Sequence, residues 1–122
     1  MLREWKATEK PEEEELKKRL TAAREKLARQ QMLIKEKKVP VLVLMEGWGT
    51  AGKGSCIGEI IQNIDPRFFK VESMEKKTEE EERRPFLYRH FAKIPEAGKF
   101  VFLDSGWMGE TVGDYLRGEL KE

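Results

Sequence analysis

Cysteine is nearly absent from this 122-residue chain: Cys56 stands alone, so no internal disulfide can form. An excess of charge of either sign is missing too, since 24 Lys+Arg face 23 Asp+Glu and leave a formal net charge of +1. Coating duplex nucleic acid requires surplus Lys and Arg to displace counterions, and this balance excludes that as the chain's main business. No apolar run approaches the roughly 18 residues of a membrane span, and no signal-peptide pattern is seen. These features together predict a soluble cytoplasmic protein with no membrane partner. Histidine is limited to His90, which has neither a second His nor a Cys at metal-ligand spacing and reads as structural or solvent-facing.

Charged residues make up 39% of the chain, well above the usual quarter, so the apolar residues must be concentrated in part of it. Residues 1–38 contain no glycine and hold 12 Lys+Arg and 8 Asp+Glu, the composition of a charged helical arm. Pro11 followed by Glu12 to Glu15 suits a first helical turn, where carboxylates meet the positive dipole end. Leu16, Leu20, Ala23, Leu27 and Ile34 then predict a helix over about 11–37 that docks by one narrow stripe, with a polar gap at Gln30 and Gln31.

From Val39 the pattern changes. Val41 to Met45 is a continuous apolar run rich in β-branched residues, with Pro40 at its entry; it reads as the buried central strand. A glycine-dense turn, Gly47 to Gly54, follows. Ile57, Ile60, Ile61 and Ile64 predict a helix over 55–64, which Asp65-Pro66 ends. Strands are expected over 68–74 and 100–103, the latter ending in Asp104. Between them Thr78 and Glu81 form a capping box, Phe86, Leu87, Phe91 and Ile94 are expected to face the core, and Pro85 marks a kink or restart. A terminal helix is expected over 111–120. Alternating strands and helices imply an α/β fold with a parallel sheet of about three strands, flanking helices and a long N-terminal helix. The division is an arm, 1–38, and an α/β domain, 39–122. So small a sheet leaves an edge bare, which points to a partial domain or one completed by another segment or subunit.

The chemistry-bearing segment is Gly47-Trp48-Gly49-Thr50-Ala51-Gly52-Lys53-Gly54-Ser55. It fits G-x-x-x-x-G-K and places the hydroxyl one residue late. Glycines let successive N–H groups turn inward around phosphate oxygens, the next helix offers its positive end, and Lys53 adds a mobile cation. Ser55 is a candidate Mg²⁺ ligand. Phe100 to Leu103 followed by Asp104 adds a strand ending in a carboxylate, the arrangement that places a metal-side acid beside such a loop. Trp48 is suited either to stacking on a base or to packing on a strand, and Cys56 reads as a buried small hydrophobe.

Six blocks resemble the polyphosphate kinase 2 family in order. They are Val43 to Trp48 with Ala51-Gly52-Lys53-Gly54, Asp65-Pro66-Arg67, Thr78 to Glu81, Pro85 to Arg89, Ile94-Pro95 with Gly98, and Phe102-Leu103-Asp104 with Trp107 and Gly109. The resemblance implies a fold similar to P-loop kinases and phosphoryl transfer between polyphosphate and a nucleotide (AMP, ADP or ATP), with Mg²⁺. It would make Lys53 a phosphate ligand, Asp104 a metal-side acid and Arg89 a cation near the phosphate track. One branch, the polyphosphate:AMP phosphotransferases, carries two such domains, so a homo-oligomer or a second kinase domain is the implied partner.

Two positions depart from the family pattern. Gly49 stands where an Asp is usual, and Asp104-Ser105-Gly106-Trp107-Met108 replaces Asp-Arg-Ser-Trp-Tyr. Phosphoryl transfer depends on charges placed around the moving group, and a single cation contributes about 10³-fold or more in such sites. These losses raise a second reading, a non-catalytic structural or dimerising module. A third, a small nucleoside monophosphate kinase, rests on Gly52-Lys53-Gly54-Ser55 and lacks the lid and further arginines those enzymes need.

Overall fold

Three parallel strands, β1 (Val41–Met45), β2 (Phe69–Ser73) and β3 (Phe100–Asp104), form one sheet in the computed structural model, which describes residues 11–119. The order is β1-β3-β2. The unbroken apolar run of β1 had marked it as the centre, and the centre is β3. Phe100 to Leu103 are buried, whereas every residue of β1 is only half-buried. The two runs are equally apolar; what separates them is that β3 pairs on both sides and β1 only with β3 among the described residues. Among the described residues β1 and β2 each keep one unpaired edge.

One face of the sheet is covered by α1 (Glu13–Glu36) and α2 (Lys53–Ile61). Ile57, Ile64, Phe100 and Phe102 make the core there, with Leu27, Ile34, Val41, Val43 and Met45 against it. The period-two alternation of strands sends Leu42, Leu44, Val101 and Leu103 to the other face. The long N-terminal helix is present, but Leu16 and Leu20 of its expected stripe are exposed. Gln31, read as a gap, is instead an anchor: it is buried, its Nε2 donates to Asp65 O at 3.1 Å, and its Oε1 accepts from Asp65 N–H at 2.8 Å. Both backbone groups of one loop residue are thereby satisfied.

The expected helix after Thr78 is broken. Its capping box is formed, but α3 (Glu79–Glu82) is a single turn, and a second turn, α4 (Tyr88–Phe91), restarts after Pro85. Leu87, Phe91 and Ile94, expected to face the core, are exposed, while Arg89 and His90 are buried. Cys56 is exposed rather than buried. The last helix, α5 (Trp107–Arg117), begins four residues earlier than expected because Gly106 caps it, and Leu120 lies outside the described residues. Residues 1–10 of the expected arm also lie outside them.

Candidate functional site

The glycine segment joins the carboxyl end of β1 to the start of α2, where parallel α/β sheets place their ligands. Inside it, Ala51 N–H donates to Trp48 O at 3.0 Å, closing a turn, and Gly52 adopts φ 83°, a left-handed conformation that glycine enters without strain. The first intrahelical bond is Cys56 N–H to Gly52 O at 2.9 Å. No side chain caps α2 and no acidic residue stands in its first turn, so the amides of Lys53, Gly54 and Ser55 lack helical acceptors at the positive end of the helix.

Lys53 Nζ donates to Gly47 O and to Trp48 O, each at 3.2 Å, so the ammonium is held over the mouth of the loop. Asp104 arrives beside it by register. Met45 pairs with Asp104, so the two strands end level, and a Cβ on Gly54 would stand 3.6 Å from Asp104 Oδ2. Thr50, Ala51 and Ser55 are exposed along the same loop, as is Trp48 at 87%, clear of any strand packing.

Glu46, which the sequence reading did not single out, ties this corner together. Its Oε1 accepts from Gly106 N–H at 3.0 Å, and a Cβ at Gly106 would lie 2.7 Å from that oxygen. A side chain at position 106 would thus displace the bond between the loop after β1 and the start of α5. Ser105 sits in the left-handed region at φ 75°.

Arg89, which the resemblance makes a cation near the phosphate track, is buried. It shares a cleft of about 550 Å³ with Glu46, Gly47, Ser105 and Glu110 at the carboxyl ends of the strands. Its guanidinium, 7% exposed, donates to the Glu75 carbonyl and lies 3.9 Å from both Glu81 and Glu110. Lys77 Nζ lies 2.9 Å from Glu110 Oε1 and 3.4 Å from Asp114 Oδ2, and His90 Nε2 lies 2.9 Å from Glu110 Oε2. His90 is accordingly structural and buried. Glu110 and Asp114, one turn apart on α5, share a face; that spacing was the available signal for this cluster.

Burial, the largest single influence on Glu110, opposes its charge, but hydrogen bonds from Lys77 and His90 and the nearby positive charges outweigh it and hold the carboxyl below its ordinary 4.5. The hydrogen bond to Glu110 correspondingly raises Lys77 above its ordinary value. A depressed carboxyl contributes stability that is complete above its unfolded value of 4.5 and is lost as pH falls through the lower folded value. Glu110→Gln is therefore expected to lower the melting temperature at neutral pH and to flatten its decline in acid, measured by thermal melts across that range.

A parallel sheet whose first strand passes through a glycine loop into a helix, with an acid from the neighbouring strand beside that loop, defines an α/β domain whose candidate site lies at the carboxyl ends of its strands. The family model for Polyphosphate kinase 2 (PPK2) matches residues 10–119, and the chain belongs to that family. It is 34% identical over 92 residues to NDP-polyphosphate phosphotransferase 3 of Ruegeria pomeroyi, covering 75% of this chain and 31% of that protein. Against Polyphosphate:AMP phosphotransferase of Pseudomonas syringae pv. tomato it is 30% identical, covering 67% of this chain and 16% of the relative. The solved Polyphosphate Kinase 2 from Arthrobacter aurescens TC1 superposes with a TM-score of 0.76 at 26% identity, over 84% of this chain and 38% of that one. This chain thus spans well under half the length of these proteins.

Proposed function

We propose that this chain is a phosphate-binding domain of the polyphosphate:nucleotide phosphotransferase type, taking polyphosphate and a nucleotide of the AMP, ADP or ATP kind. The observation that carries the reading is the uncapped start of α2 inside the glycine loop, with Lys53 above it and Asp104 beside Gly54. The amides of residues 52–55 and the Lys53 ammonium would bind the phosphate oxygens, and Arg89 would act from the cleft side, with its charge already shared among carboxylates.

Mg²⁺ fits this corner. Mg²⁺ is commonly held by one or two protein oxygens plus substrate phosphates, and the Asp104 carboxylate with the Ser55 hydroxyl would supply such oxygens. When bound, the ion would neutralise charge on the phosphates between which the group moves. Lys53 would hold the same oxygens in line, and the loop amides would fix their orientation.

Gly49 and Ser105 argue that binding outlasts turnover. A Cβ at Gly49 meets nothing within 4 Å, so Gly49→Asp is sterically free, whereas Ser105→Arg puts a longer side chain on a backbone already held at φ 75°. Calorimetric titration with long-chain polyphosphate and with ATP, with and without Mg²⁺, is expected to show binding strengthened by the metal. Transfer from polyphosphate to AMP or ADP by the natural chain is expected to match a Lys53→Ala control. Gly49→Asp is expected to strengthen Mg²⁺ dependence by about 10-fold, the size of a charge-assisted contact, and more than Ser105→Arg does. Absence of binding above the Lys53→Ala level overturns the reading.

A further inference from the structure

Two consecutive amides after β3 are held by the end of β1. Ser105 N–H donates to Met45 O at 3.0 Å, which continues the ladder one residue past the Met45 and Asp104 pair, and Gly106 N–H donates to Glu46 Oε1 at 3.0 Å. The first bond is backbone pairing; the second depends on a side chain. Between them the chain turns at Ser105, φ 75°, a left-handed conformation that a non-glycine residue keeps only where its surroundings hold it. Rotation about the Ser105 N–Cα bond out of that region swings the start of α5 away from β1, and the bond to Glu46 opposes it. Glu46 directly precedes Gly47, and Gly106 follows Asp104 by two residues. This one bond therefore braces the root of the glycine loop against the chain leaving Asp104.

The corner has room for that carboxylate and little else. A Cβ at Gly106 would stand 2.7 Å from Glu46 Oε1 and 3.2 Å from Leu44 Cδ2, and one at Gly109 would stand 3.2 Å from Glu46 Oε2. Two glycines one turn apart thus admit both oxygens beside the first turn of α5. The cap residue, Gly106, has no side chain to bond the free amides of that turn, and the carboxylate of Glu46 meets the positive end of the helix.

We propose that Glu46 is a positioning residue for the metal-side acid: by accepting from Gly106 N–H it holds Asp104 where its carboxylate and the bound phosphates share Mg²⁺. The inference rests on the phosphate reading of the loop. Glu46 acts through the bond and not through its charge, because the bond is what spans the corner. The Mg²⁺-dependent part of phosphate binding then depends on Glu46, and the part supplied by Lys53 and the loop amides does not.

Calorimetric titration with long-chain polyphosphate, with and without Mg²⁺, separates the two parts in the full chain and in Glu46→Gln, Glu46→Ala and Gly106→Ala. Glutamine keeps the acceptor and drops the charge, alanine drops both, and Gly106→Ala pushes the carboxylate aside. Glu46 is exposed, so the fold is expected to persist. Glu46→Ala and Gly106→Ala are each expected to lose about tenfold of the affinity gained from Mg²⁺, the scale of losing an outer-shell group, while Mg²⁺-free affinity stays within about twofold. Glu46→Gln is expected to keep the gain. Combining Glu46→Ala with Gly106→Ala is expected to be no worse than either alone, because both remove one bond. If Glu46→Ala misfolds, Glu46→Gln against Gly106→Ala gives the same comparison. Amide hydrogen exchange without ligand reads the brace itself: Gly106 is expected to exchange about tenfold faster in Glu46→Ala and at the parent rate in Glu46→Gln.

Equal losses in the glutamine and alanine variants would assign the effect to charge and overturn positioning. So would an undiminished Mg²⁺ gain or an unchanged Gly106 exchange rate in Glu46→Ala. A fall in Mg²⁺-free affinity as large as the fall with Mg²⁺ would make Glu46 part of the scaffold only, which also refutes the proposal. A parent chain that binds polyphosphate equally with and without Mg²⁺ refutes it while the phosphate reading stands; one that binds under neither condition removes both.

Discussion

Lys53→Ala is expected to weaken binding of long-chain polyphosphate or ATP by about 10- to 100-fold. A hydrogen bond to a charged group contributes about 1.5–3 kcal/mol, and each 1.4 kcal/mol is a factor of ten. The lysine's present bonds, to Gly47 O and Trp48 O at 3.2 Å, are to neutral carbonyls at the surface. Losing them is expected to change folding stability by no more than about 0.5 kcal/mol, the usual scale of a surface substitution. Binding and stability therefore separate in this variant. A Lys53→Ala chain that binds as tightly as the parent removes the lysine from the site, and one that unfolds assigns it to the scaffold.

The largest stability effect is expected at the centre of the sheet. Leu103 is 0% exposed, lies on the strand paired from both sides, and stands in register with Leu44 and Glu72. Leu103→Ala removes buried methyl groups and leaves a cavity, at a cost of about 3–4 kcal/mol. Against a typical total of about 5–15 kcal/mol this is a severe loss for a small sheet. Leu42→Ala on half-buried β1 removes the same atoms from an open groove and is expected to cost about 1 kcal/mol. Urea denaturation of both variants tests the strand order directly: were β1 the centre, the ranking would reverse.

That reversal is what the amino-acid pattern alone suggests, and it shows where sequence reasoning stops. Local features were legible. Glycine density between Met45 and Ile57 specified strand, loop and helix in order, and the Thr78–Glu81 capping box formed as read. Pairing was not, because the apolar runs 41–45 and 100–103 look alike and only the order β1-β3-β2 distinguishes them. Apolar periodicity also misled at α4. Phe91 and Ile94 read as core, yet the turn buries Arg89 and His90 instead, since Glu110 of α5 and Glu75 after β2 supply partners from distant parts of the chain. Gln31 repeats the lesson: its partner, the backbone of Asp65, lies far along the sequence.

The candidate site divides in the same way. Lys53 and its loop were readable because one contiguous segment builds them. The place of Asp104 was readable as strand chemistry, and its approach to Gly54 follows from the level register of β1 and β3. Glu46 escaped notice because its role depends on Gly106, whose missing side chain leaves room for the carboxylate.

Amide chemical shifts during titration with inorganic polyphosphate test most directly whether the turn from Gly47 to Ser55 receives phosphate. The largest changes are expected at Gly52, Lys53, Gly54 and Ser55, saturating together, enhanced by Mg²⁺ and diminished in Lys53→Ala. Saturating changes confined to α1 or to the β1 edge, with those four amides unmoved, would contradict the assignment.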